Sequence, residues 1–445
     1  MNRLYLLHLY IVLLILNVFS PISYSLLIDA VSLPSPSGYR FPIYHASELG
    51  KPKFHKKIEE WVVELETDVV YVKFPIFKHG IVIANGDIID EVLKARPEKF
   101  RRSSKIEVIF SELNINGAFS SEGDDWRSNR RVITEGVKGI DSKLIEPISQ
   151  RLVDFISQSI DQDQDEFLLP ELFNRYTTEV VSVVVFDFDP MYLQLGTLPD
   201  LSEKLLRILP LANKRISSVI PTHKIFSDGL SEIVLEVNGL LRNKIRSLRQ
   251  LDENNKFLER CIKQEMDESH IIANAFTLFV AAQDTTALTM SWGLKYILEY
   301  GCLDNLRLLS GEDFKQQFDR LILESMKKNP VAPIIYLEAN EKYTTEAKND
   351  NGQNITIDKG MQLILYTGNC KDKKMKSSKF NKHRNFGGGM RICPGMNIAM
   401  DEICIGLKQL ITHFNIEVIN PGDEEGIFDF LVSPGDLRVK FSKIP

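Results

Sequence analysis

Polar and apolar residues along this chain follow two distinct periods. Apolar side chains recur every three or four positions through 141–160, 170–186, 230–248 and 270–300, the spacing that gives a helix one buried face. Shorter runs read as strands: Val69-Val70-Tyr71-Val72 and Gly80 to Ala84, with a turn near Lys78-His79-Gly80, and further pieces at 353–366 and 427–443. Asp87 reads as the cap of a short helix over Ile88–Lys94. The pattern predicts a fold that is mainly α with small β-sheets.

The amino terminus breaks this pattern. From Leu4 to Ile28 there is no Asp, Glu, Lys or Arg. Its densest part, Leu4 to Phe19, would make a helix of only ~24 Å, against a hydrocarbon core of ~30 Å. Spanning a bilayer requires continuing past Pro21 into Leu26-Leu27-Ile28. A cleaved signal peptide is the rival, with Ser23-Tyr24-Ser25 as small-residue cleavage site. Then comes Leu33-Pro34-Ser35-Pro36-Ser37-Gly38 and Pro42, a stiff spacer that resists helix formation.

Composition narrows the function classes. At 445 residues, with 44% hydrophobic and 26% charged residues, the chain is that of a globular protein with a core large enough to enclose a cofactor. No repeat or flexible linker divides it, so a single large domain is expected over 43–445. A net charge of −6 excludes a general nucleic-acid binder, and no nucleic-acid partner is expected. The five cysteines are odd in number and scattered without paired or zinc-ligand spacing, as in a reducing environment. No Gly-rich phosphate loop is present.

One cysteine stands in a distinctive setting, Phe386-Gly387-Gly388-Gly389-Met390-Arg391-Ile392-Cys393-Pro394-Gly395. Consecutive glycines let the main chain approach a flat cofactor closely, and with Gly395 they leave N–H groups free to point at a thiolate. Arg391 is a permanent cation suited to a carboxylate, and Phe386 would shield the sulfur from water. The pattern Phe-x-x-Gly-x-Arg-x-Cys-x-Gly is complete, and it resembles the haem-binding loop of the cytochrome P450 family. That resemblance covers roughly residues 30–445. It implies the P450 fold and a haem b (heme) whose iron takes the Cys393 thiolate as axial ligand, with Phe386, Gly389, Arg391 and Gly395 around it.

Three further segments bear on the resemblance. Ala281-Ala282-Gln283-Asp284-Thr285-Thr286 puts an acid and two alcohols inside a long apolar helix, where they are locally unfavourable. In the resembled family this helix crosses the oxygen-binding face of the haem, which implies proton relay for Asp284 and Thr285; Ala282 stands where the family prefers Gly. Trp126 and Arg130, at i and i+4, share a helix face and suit one carboxylate. The resemblance makes that carboxylate a haem propionate. The third segment departs: Glu324-Ser325-Met326-Lys327 falls where the family has Glu-x-x-Arg, and a lysine offers one point charge instead of a planar fork. The stretch before the cysteine loop is also short, lacking the family's usual meander. Phe380 to Asn385 is read as the remnant of the family's Phe-x-Pro-Glu-Arg-Phe segment, from which Arg384 would still reach Glu324.

The resemblance implies a monooxygenase that hydroxylates a lipophilic small molecule with electrons from an NADPH-dependent flavoprotein reductase. The lysine-rich stretch from Lys371 to Arg384 is a candidate docking face for that acidic partner, or simply a solvated loop. Pocket-lining candidates are Leu205 to Phe226, Val331 to Ile335 and Phe430 to Val432. It also favours reading 1–28 as a single-pass anchor in the endoplasmic reticulum membrane and 29–42 as a hinge, with the catalytic domain on the cytosolic side. Two alternatives remain open: a haem protein of this fold with impaired turnover, and a non-enzymatic membrane-tethered helical protein.

Overall fold

The computed structural model describes residues 33–39, 44–74, 79–138, 140–194, 200–218, 221–250, 256–368 and 384–444. The expected anchor at 1–28 lies outside the described residues, as do parts of the hinge and nearly all of the lysine-rich stretch before Arg384. The described part of the hinge, 33–39, is free of helix as its prolines require. It is docked: the Tyr71 N–H donates to the Pro34 carbonyl at 2.8 Å.

Thirteen helices and twelve short strands are present among the described residues. The predicted helices fall at Ile145–Asp161, Leu169–Phe186, Leu230–Gln250 and Glu268–Glu299. The last, hereafter the long helix, runs for about 48 Å at 1.5 Å per residue. Its first turn is capped by Asp267, whose carboxylate accepts the His270 N–H at 2.9 Å; that bond holds Asp267 down at about 2. Among the described residues it is the one helix long and apolar enough to cross a membrane, but most of it is buried inside the protein, as befits a core helix.

The long helix lies along Leu169–Phe186, with the Thr177 hydroxyl donating to the Gln283 carbonyl at 3.0 Å. The helix Met396–His413, which follows the cysteine loop, packs against both. At their contact stands Gly406, where an added methyl would overlap Tyr176 and Met290. Here the fold removes a side chain so that three helices can touch.

The main sheet has five strands. Val69–Lys73 pairs antiparallel with His79–Ile83, which pairs parallel with Gln362–Tyr366; Ile334–Ala339 and then Phe100–Arg102 complete the sheet antiparallel. Register is set by apolar partners such as Ile81 with Leu363 and Ile335 with Leu365. Under this sheet sits a compact apolar cluster including Val69, Ile81, Ile88, Val92, Leu337 and Leu365, separate from the larger core among the helices.

One local expectation is corrected. The short helix spans Gly86–Lys94, and its cap is Asn85, not Asp87. The Asn85 side-chain oxygen accepts the Asp87 and Ile88 N–H groups at 3.0 and 2.9 Å, a geometry open only to the residue just outside the helix. Asp87 instead occupies the first turn, where its charge complements the helix dipole. Replacing Asn85 by Ala is expected to cost about 1 kcal/mol in chemical denaturation, and Asp87→Ala markedly less.

Candidate functional site

The cysteine loop is held from three sides. Behind it, Gly389 adopts φ +59°, and a side chain there would overlap the Leu93 carbonyl oxygen at the end of the Gly86–Lys94 helix. Within it, the Cys393 N–H donates to the Phe386 carbonyl at 2.8 Å, closing the loop on itself. From the helix Gly123–Val137, the Arg130 guanidinium donates to the Ile392 carbonyl at 2.5 Å. Phe386 itself packs on the edge of the helical core.

Cys393 stands just ahead of the Met396–His413 helix, whose N-cap is Gly395. Burial pushes the Cys393 thiol up, while the Gly395 N–H and the Arg130 charge pull the other way. Burial is the largest of the three, so the thiol stays raised, and a metal ion on the sulfur would deprotonate it outright.

Trp126 is buried and carries the Arg391 guanidinium 4.2 Å over its ring. The sequence placed Trp126 and Arg130 on one face, and both meet the cysteine loop: Trp126 under Arg391, Arg130 against Ile392. Arg391 also ion-pairs with Glu122 and donates to the Ser121 carbonyl at 3.1 Å.

Sequence reasoning missed the rest of this cluster. Arg96 and Arg102 lie beside the same carboxylate: the Arg102 backbone N–H donates to Glu122 at 2.7 Å, and Arg96 Nη2 lies 3.7 Å from it. The Arg102 guanidinium sits 4.0 Å over the Phe119 ring. Desolvation and neighbouring cations hold Arg96 well below its usual range and Arg102 at about 10; desolvation first, with Arg130 adding, holds Arg391 at about 10. Arg96 Nε and Nη2, Arg102 Nε and Arg391 Nε are buried with no hydrogen-bond partner among the described residues. Buried donors of this kind fit an anionic group with several acceptor oxygens. No local signal marks these arginines; Arg102 is brought here by the pairing of its strand with the distant strand Ile334–Ala339.

The long helix carries the second group of candidate residues. Between Ile271 and Lys295 every residue is buried except Thr277, Ala281, Ala282 and Thr285. Three of these follow each other at i, i+4 and i+8, so a core helix exposes one narrow stripe of small residues. The Thr285 hydroxyl donates to the Ala281 carbonyl at 2.7 Å. Asp284 is buried with Oδ1 unpartnered among the described residues, and desolvation pushes its carboxyl up to about 7. Gln283 and Glu402, also buried, likewise carry unpartnered side-chain atoms among the described residues, and burial raises Glu402 well above the carboxylate range.

A polar chain fixes the long helix to the Trp126 helix: Asn274 donates to Asn129 at 2.7 Å, and Asn129 to the Ser121 hydroxyl at 3.2 Å. The three apolar segments proposed as pocket lining also come together. Asn213 donates to Asp429 at 3.1 Å, the Val432 N–H donates to Val331 at 2.8 Å, and Phe430 meets Phe119 at 6.1 Å between ring centroids.

The expected tie between Arg384 and Glu324 is not made. Arg384 donates to both Asp90 carboxylate oxygens, at 3.3 and 3.0 Å, because the Gly86–Lys94 helix docks directly behind the loop. Glu324 is exposed on the helix Gly311–Lys328, and Lys327 is half-buried there.

A largely helical fold with this cysteine loop at the start of a helix is that of the haem-thiolate monooxygenases. The family model described as "Cytochrome P450" matches residues 42–301 and 368–441, most of the chain, and the chain belongs to the cytochrome P450 family. Glu324 and Lys327 fall between the two matched stretches. The chain is 21% identical over 347 residues to "Cytochrome P450 94A2" of Vicia sativa, covering 69% of this chain and 67% of that relative. It is 22% identical over 417 residues to "Steroid 17-alpha-hydroxylase/17,20 lyase" of Ovis aries (78% and 79%). With "Cytochrome P450 27C1" of Danio rerio it shares 24% identity over 402 residues (76% and 73%).

Two predictions rest on this geometry. Gly389→Ala forces a side chain into a left-handed position against backbone, and a loss of at least about 1–3 kcal/mol is expected in chemical denaturation. For Asp284 the folded value lies above the unfolded one, so the folded state binds the extra proton between about 4 and about 7. Native stability therefore falls relative to Asp284→Asn as pH rises through that window and levels off above about 7. Denaturation of both proteins at pH 5 and pH 8 measures the difference; an unchanged gap would leave Asp284 with no raised carboxyl.

Proposed function

We propose that this protein hydroxylates an apolar small molecule at a haem b held by Cys393. Dioxygen and electrons from an NADPH-dependent flavoprotein reductase would be consumed in the reaction. The observation that carries the reading is the setting of Cys393 at a helix N-terminus, between the Gly395 N–H and the Arg130 cation, in a loop closed on Phe386. A bound haem with a thiolate ligand supplies dioxygen activation.

The chain's own residues take distinct parts. Cys393 would ligate the iron, with Gly395 and Arg130 stabilising its charge and Gly389 giving the backbone room to lie flat. Arg391, Arg96 and Arg102 would meet the propionates with their unpartnered N–H groups, Trp126 holding Arg391 in place by stacking. Arg130, already bonded to Ile392, serves the loop more than a propionate. Asp284, with its carboxyl near neutrality, would take or give a proton at physiological pH, and the Thr285 hydroxyl, bonded to the Ala281 carbonyl, would orient the water that carries it. Ala281 and Ala282 keep the stripe open.

The substrate is read as lipophilic because the converging walls are apolar: Phe119, Phe430, Val331 and the face of Asp200–Ser217. The anchor reading of 1–28 and the placement at the endoplasmic reticulum membrane, catalytic domain toward the cytosol, are supported by the uncharged run from Leu4 to Ile28 and the prolines after it.

The test is the visible spectrum of the reduced full-length protein under carbon monoxide. A Soret band at the red-shifted position peculiar to thiolate-ligated haem is expected, and Cys393→Ser abolishes it. A wild-type band at the ordinary position would remove Cys393 as ligand. In reconstituted turnover, Asp284→Asn is expected to retain the red-shifted band and lose product formation by roughly 100-fold.

A further inference from the structure

We infer that Glu122 is a positioning residue of the haem-propionate site, setting its net charge at two positive units to match a dianionic ligand. The inference rests on the haem reading above and concerns a residue outside the cysteine loop.

Glu122 is the N-cap residue of the Trp126 helix, and its side chain is about 11% exposed. Three interactions converge on its carboxylate. One oxygen takes the Arg391 guanidinium; the other accepts the backbone N–H of Arg102 at 2.7 Å and faces Arg96 at 3.7 Å, while the Arg102 guanidinium acts on it by charge alone. It makes no hydrogen bond to an N–H of its own helix, the usual role of an acid at that position. The carboxylate is turned outward to the arginines.

Charge bookkeeping then becomes definite. Arg96, Arg102 and Arg391 repel one another, and Glu122 is the carboxylate bonded among them. Neighbouring charges balance in pairs: Arg101 with Glu107, and Arg130, which also acts on Arg391, with the Cys393 thiolate of the haem-bound state. Three guanidiniums less one carboxylate leave two positive charges, with unpartnered N–H groups on all three arginines. Haem carries two propionates. With Arg391 tied on one side by Glu122 and Ser121, its free Nε is aimed by the fold and not by the ligand, so little ordering is left to do on binding.

The experiment measures the haem midpoint potential of the full-length holoprotein by spectroscopic titration. Removing a negative charge beside the propionates stabilises the reduced state, so Glu122→Gln is expected to shift the midpoint positive. Arg96→Gln is expected to shift it negative. The double variant Glu122→Gln/Arg96→Gln restores a net of two charges, and its midpoint is expected to return toward wild type. Glu122→Asp, which keeps the charge, holds the wild-type midpoint and loses haem to excess apomyoglobin several-fold faster, its shorter arm losing hold of Arg391. A merely structural Glu122 would give shifts of one sign, or none, and no return in the double variant; either result overturns the inference. If Glu122→Gln does not fold, a wild-type midpoint in Arg96→Gln or a displaced one in Glu122→Asp overturns it equally. A wild type without a thiolate-type carbon monoxide band would instead sink the haem reading, which keeps the two failures apart.

Discussion

The structure turns on the setting of one buried cysteine sulfur. Burial alone opposes a thiolate strongly. Against it stand the Gly395 N–H and the Arg130 guanidinium, and Arg130 is in place because its own donor is spent on the Ile392 carbonyl. The loop cannot move without breaking that bond, and Arg130 cannot move without stranding the sulfur. The other features support this clamp: Gly389 lets the loop lie on Leu93, Arg384 ties its start to Asp90, and Gly406 lets the following helix settle among its neighbours.

A second constraint acts across the site. The Asn274–Asn129–Ser121 chain joins the long helix to the Trp126 helix inside the protein, where every unmade hydrogen bond is costly. The wall that carries Thr285 and the wall that holds the cysteine loop are thereby linked through buried amides, and their separation is set by packing.

Much of this was legible in the sequence, and the failures have physical causes. The four long helices appear within a few residues of their predicted ends because each buries a periodic face over many turns. Two of the predicted strand regions resolved into several strands, 353–366 becoming Asn354–Ile357 and Gln362–Tyr366 around a turn with Gly360 at φ +78°. The strands Ile334–Ala339 and Phe100–Arg102 were not foreseen, since their pairing joins distant parts of the chain. That same pairing brings Arg102 to Glu122, so its part in the site was invisible in a linear reading. The motif residues Cys393, Trp126, Arg130 and Arg391 do gather at one place; Arg384 does not join Glu324, because the loop rests on a different helix. Asn85 took the capping role from Asp87 by a shift of two residues, the usual scale of error at helix ends.

The distance in sequence between the two halves of the site has a consequence for how the protein is made. Trp126, Arg130 and Glu122 leave the ribosome long before Cys393. At about 5–20 residues per second the interval is roughly 13–50 seconds. Until Arg391 and Cys393 emerge, the helix that will clamp the loop has nothing to clamp. Any factor that protects the nascent chain has to act in that interval, on a protein whose arginine cluster is assembled from one side only.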